Sequence, residues 1–130
     1  MILDTSAILA VLGREPEAAR IGRAVLNSAV RRVSAASLVE AGIVVQARFG
    51  DDGARDLDLL VAKLALTIEP VTARQSELAR RAFRHFGKGR HPAGLNFGDC
   101  FAYALAKETG EPLLFKGDDF SRTDIAAVSY

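Results

Sequence analysis
The stretch MILDTSA, residues 1–7, sets three apolar residues directly before an aspartate, and SAILAVLG (6–13) then carries helical spacing up to a glycine stop. Three apolar residues that need burial make a short strand, so Asp4 stands where a strand ends and a helix begins. Open parallel α/β sheets build their sites at such strand ends. Taken alone, Asp4 is either a helix N-cap or part of a site, and the rest of the chain has to separate the two readings.

The alternation repeats downstream. EPEAARIGRAVLNSA (15–29) reads as a second helix, with Pro16 in its first turn where a missing N–H costs nothing. RRVS (31–34) is a strand, and ASLVEAGIVVQARFG (36–50) a helix with Ser37 as cap and Gly50 as stop. DDGARDLDLLVAKLAL (51–66) opens with acids at the positive end of a helix dipole and continues amphipathically. TIEPV (67–71) is a strand, TARQSELARRAFRHFG (72–87) a helix capped by Thr72, and KGRHPAGLN (88–96) a polar, glycine-bearing loop. FGDCFAYALAKETG (97–110) is the next helix, PLLFKG (112–117) a strand and turn, and IAAVS (125–129) a last strand. Strand and helix in alternation predict a three-layer α/β/α sandwich with a mostly parallel central sheet of four to five strands. No repeat or linker divides the chain, so residues 1–130 are expected to form a single domain.

Composition narrows the class. With 49% hydrophobic and 25% charged residues the chain suits a compact globule and not a disordered one. The single cysteine, Cys100, offers neither a disulfide nor a Cys/His zinc site, and reads as a small packed hydrophobe in a reducing compartment. No apolar run approaches a membrane span, and no basic, apolar leader precedes the first strand, so a cytoplasmic location is expected. The net charge of +1 neither requires nor excludes nucleic acid.

The acids are more informative than the totals. Asp4 ends the first strand, Asp118 and Asp119 follow LLFKG, and Asp99 lies in the first turn of its helix, so three separate regions point acid at one rim of the sheet. Glu40 sits among Leu38, Val39, Ile43, Val44 and Val45, a run apolar almost all round, so it occupies a narrow polar stripe or turns inward toward something positive. Crowded carboxylates repel one another unless a cation or proton intervenes. An all-oxygen donor set suits Mg²⁺ or Mn²⁺ better than zinc. One or two such ions would serve phosphodiester hydrolysis. Ser6 has a carboxylate or phosphate in reach, and Asn96 either caps the Asp99 helix or touches substrate; Thr5 is an alternative cap for the first helix. Each acid also has a plain reading: a cap, a dipole partner, a surface residue or a turn former.

Four stretches together carry a family resemblance: MILDTSA, ASLVEAG, LNFGDCFAYALA and PLLFKGDDFSRTDI. In order, spacing and total length the chain resembles the PIN-domain ribonuclease toxins of the VapC family. The resemblance implies Asp4 and Asp99 as metal-binding carboxylates, Glu40 as the third acid, and Asp119, or its neighbour Asp118, as the fourth. It also implies an RNA substrate cut to 3′-hydroxyl and 5′-phosphate ends, a VapB-type antitoxin that inhibits the nuclease, and a homodimer.

Between Glu77 and Asp99 there is no acid, yet Arg80, Arg81, Arg84, Lys88 and Arg90 occur there with His85 and His91. Such a segment is either a solvated face or a phosphate-binding path toward Asp99; Arg80, Arg84, Lys88, Arg90 and His91 are the candidate RNA contacts. Phe83, Phe86 and Phe97 form either a base-stacking surface or core. Two other functions compete: a receiver-like module phosphorylated on a strand-end acid, and a catalytically silent PIN-like scaffold. The first lacks an acceptor, since TIEPV offers only Glu69; the second would be favoured by a lost acid, and none is lost.

Overall fold
The structure is a computed structural model describing all residues, 1–130. Its elements follow the order β1 (Ile2–Leu3), α1 (Thr5–Leu12), α2 (Ala18–Leu26), β2 (Arg32–Ser34), α3 (Ala35–Lys63), β3 (Thr67–Glu69), α4 (Ala73–Phe86), α5 (Phe97–Thr109) and β4 (Leu113–Leu114), closed by a 3₁₀ turn (Asp119–Arg122). The four strands make one parallel sheet in the order β3-β2-β1-β4, with Ile2 opposite Arg32 and Leu113, and Leu3 opposite Val33 and Leu114. The chain leaves β1 in one direction and returns to its other side, so the switch point, the place where α/β sheets bind ligands, lies between β1 and β4.

Adjacent strand residues face opposite ways, and this divides the core. Ile2 and Leu113 pack with α4 and α5 against one face; Leu3, Val33 and Leu114 pack with α1, α2 and α3 against the other. These strand side chains are almost entirely buried, each contributing about 1.5–3 kcal/mol of transfer free energy. Tyr103 Oη donates to Asp124 at 2.7 Å, fastening the chain's end across α5.

The expected break at Gly50 is present: α3 is two helical segments that meet at a kink where Gly50 takes φ +63°, a conformation in which other residues are strained. Several sequence expectations change. The α3 cap is Ser34, whose Oγ accepts from the Ala36 N–H, and not Ser37, which lies buried inside the helix. Thr5 does not cap α1; it donates to the Ser37 carbonyl, while Asp4 is the cap. Thr72 and Asn96 do cap their helices. The last strand reduces to a single bridge, Leu113 with Ala127. The α3 run is not buried all round either: Val39 and Ile43 are exposed on the surface.

Candidate active site
Asp4 performs two tasks with two oxygens. Its Oδ2 accepts from the Ser6 N–H at 2.9 Å and the Ser6 hydroxyl at 2.6 Å, capping α1. Its Oδ1 is buried and has no partner. The Ser6 hydroxyl also accepts from the Lys116 N–H at 2.9 Å, tying the end of β1 to the loop after β4. Burial pushes the Asp4 carboxyl above its usual range, against the Ser6 hydrogen bonds, and the Glu40 charge adds to the rise.

Asp99 is divided in the same way. Asn96 Oδ1 accepts from the Asp99 N–H and Asp99 Oδ2 accepts from the Asn96 N–H, both at 2.9 Å, a reciprocal capping box. Burial raises the Asp99 carboxyl to about 7, with the charges of Asp4, Asp119 and Glu40 adding to burial and the Asn96 hydrogen bond opposing it. These four acids, from the junction of β1 and α1, from α3, from α5 and from the 3₁₀ turn, therefore share one electrostatic neighbourhood. Asp118 precedes that turn on the surface, and its carbonyl accepts from the Ser121 N–H and hydroxyl. Cys100, beside Asp99, donates its thiol to the Asn96 carbonyl; burial and the Asp99 charge push it up to about 11, so it stays protonated and is no nucleophile.

No lysine or arginine side chain pairs with the rim. None of the four acids takes part in an ion pair. Lys116, whose backbone reaches Ser6, turns its ammonium to Glu15 and Glu17, the latter at 3.3 Å. As they stand, no three of the carboxylates converge closely enough to chelate an ion. The donor set nevertheless fits a hard divalent cation: every donor is oxygen, Asp4 Oδ1 is buried without a partner, and Asp4 and Asp99 are held above their usual range by burial and mutual repulsion.

The basic segment flanks this rim. Arg80, Arg84 and Arg90 line a groove of about 790 Å³ between α4 and α5, with Phe83, Phe97 and Phe101 as its apolar wall. Phe97 is 80% exposed and packs edge-on against Phe101 at 4.9 Å, while the Arg90 guanidinium lies 5.7 Å from the Phe83 ring. Lys88 is exposed on the adjoining loop. Phe86, by contrast, packs against the core, and His91 stands edge-on to it with Nδ1 accepting from the Ala93 N–H, so this ring holds the loop together.

Neither Lys116's pairing nor the tie between Ser6 and the loop after β4 has a local signal, because both join residues about a hundred positions apart.

The family model described as PIN domain matches residues 1–126. Ribonuclease VapC30 of Mycobacterium tuberculosis is 52% identical over 129 residues, 99% of this chain and 98% of that protein. The chain belongs to the VapC ribonucleases of the PIN-domain family. The VapC fold agrees: VapC20 of Mycobacterium tuberculosis, described as a sarcin-ricin loop cleaving toxin, superposes with a TM-score of 0.79 at 19% identity, covering 99% of this chain and 98% of that one. VapBC2 from Rickettsia felis, bound to a DNA fragment from its promoter, gives 0.76 at 13% identity over 98% and 96%.

Proposed function
We propose that residues 1–130 form a single PIN domain acting as the toxin of a VapBC-type pair, an endoribonuclease that needs Mg²⁺ or Mn²⁺ and is held inactive by a VapB-type antitoxin. The observation that carries this is the unpaired acid rim, above all the buried, partnerless Oδ1 of Asp4 beside Asp99 and Glu40. Family membership supports the reaction class, and the likeness to a VapBC complex supports the antitoxin.

Asp4 and Asp99 would hold the ion, with Asp119 as a further acid, and Glu40 or another of these acids would take a proton from the attacking water. When bound, the ion supplies positive charge at the scissile phosphate and acidifies that water. Ser6 keeps Asp4 Oδ2 fixed so that Oδ1 remains free, and the Asn96 N–H fixes Asp99 Oδ2 through the capping box. The exposed Arg80, Arg84, Lys88 and Arg90 would hold the RNA backbone, structured RNA such as tRNA or rRNA being the intended class, and Phe97 offers an unpaired base a face. His91 would act only indirectly, by shaping the loop. A homodimer would use apolar helix surface, and Val39 and Ile43 of α3 are exposed.

The receiver-like reading loses its one acceptor, because Glu69 is paired with Arg32 at 2.7 Å. The silent scaffold is separated by experiment. Purified protein, freed of antitoxin, is incubated with total cellular RNA and Mg²⁺ or Mn²⁺, and new 5′ ends are sequenced. Discrete cuts that disappear with chelator and in Asp99→Asn support the nuclease; an inert, folded native protein supports the scaffold.

A further inference from the structure
Position 98 lies in the first turn of α5, has no positive φ, and is buried, yet it is glycine, which forms helices less readily than alanine. The backbone does not require it. Space does: a methyl group there would overlap the Glu40 carboxylate, colliding with Oε2 and reaching within 2.7 Å of Oε1. The other glycines whose Cβ position is blocked, Gly53 and Gly87, meet backbone carbonyls and phenylalanine side chains.

Glu40 forms no ion pair, has a flexible side chain and is repelled by Asp4 and Asp99, so it has reason to swing away from the rim. Against α5 it meets a helix N-terminus, whose unpaired N–H groups and dipole favour an anion. The seat exists only because residue 98 has no side chain.

We propose that Gly98 is a positioning residue: its missing side chain admits the Glu40 carboxylate beside Asp99, and so sets both the affinity for the cation and the rate of cleavage. This rests on the nuclease reading. It acts through Glu40 alone, and that makes it separable from a role in folding.

The test is a double-mutant cycle on Gly98→Ala and Glu40→Ala, reading Mn²⁺ affinity by electron paramagnetic resonance, kcat and KM for RNA, and thermal unfolding in chelator. Gly98→Ala is expected to weaken Mn²⁺ binding about tenfold or more and to lower kcat with KM unchanged. In the Glu40→Ala background, where the methyl has room and cleavage is already lost, the same substitution should leave Mn²⁺ affinity and thermal unfolding unchanged. Equal losses in both backgrounds would show a general structural role and overturn the proposal, as would an unaffected single variant. If Gly98→Ala fails to fold, folding regained in the double variant supports the collision with Glu40, and failure of both contradicts it. Native protein that binds no Mn²⁺ and cuts no RNA sinks the nuclease reading itself; native binding with an indifferent Gly98→Ala sinks only this inference.

Discussion

The two ends of the sheet treat charge in opposite ways. Around the amino ends of β1, β2 and β4, the Met1 ammonium lies 3.0 Å from Glu111, and Arg32 pairs with Glu111 at 3.0 Å while also reaching along the edge strand to Glu69, the last residue of β3, at 2.7 Å. At the carboxyl ends, Asp4, Glu40, Asp99 and Asp119 crowd together unpaired, while the one lysine tied to them by its backbone spends its ammonium on Glu15 and Glu17. One end shows how this chain balances charge when stability is the only demand. The other leaves repulsion standing, a cost that a bound cation would remove.

The comparison fails most visibly if acids at the open end prove dispensable. Asp4→Asn and Asp99→Asn each keep an oxygen for their caps but lose the ligand charge, so cleavage should fall more than about 100-fold, measured as initial rate on a defined RNA. Both variants should also unfold at a higher temperature than native protein in chelator, because a repelling charge has gone. Retained cleavage would remove the site from this rim.

The intermediate effect concerns the basic flank. Arg80→Ala, Arg84→Ala and Arg90→Ala should raise KM several-fold with kcat little altered, and each lost phosphate contact should flatten the salt dependence of binding by about 0.7 in log–log slope. Filter binding across a salt series reads this. A slope unchanged in the triple variant would make the groove a solvated face or a protein interface.

The smallest effect belongs to the paired end. Arg32→Ala should lower stability only slightly, since its side chain is about one-third exposed and its pairs are partly screened, and cleavage should stay native. Urea unfolding and the cleavage assay check both halves. A large loss of activity there would break the division of labour between the two ends.

Local signals made much of this legible beforehand. The parallel sheet follows from short apolar runs alternating with helical ones, and Thr72 and Asn96 sit immediately ahead of periodic apolar residues, as caps do. Ser34 and Ser37 compete for one helix start, and the sequence alone favours the wrong one; what decides is how far β2 runs, which is fixed by its pairing with β1 and β3. IAAVS has strand character but only Leu113 to pair with, so a single bridge forms. At the site, the plain readings of Asp4 as a cap and Asp99 as a first-turn acid both hold, and because capping occupies only one Asp4 oxygen it leaves the functional reading open. Gly98 and Lys116 were illegible because their reasons lie far away in the chain, at Glu40 and at Glu15 and Glu17.

A cation site kept under repulsion at the open end makes stability depend on pH and on Mn²⁺, which thermal unfolding across pH with and without Mn²⁺ reads out. The Asp99 carboxyl sits near 7 in the folded protein against an ordinary 3.8, so between these values the folded state holds a proton that the unfolded state has released. Stability in chelator should therefore fall as pH rises from about 4 through about 7. Mn²⁺ should restore it strongly at pH 8 and little at pH 5, where protons compete for the same oxygens, and Asp99→Asn should flatten both trends. Native protein with pH-independent stability, or one that Mn²⁺ stabilises equally at both pH values, would contradict the account.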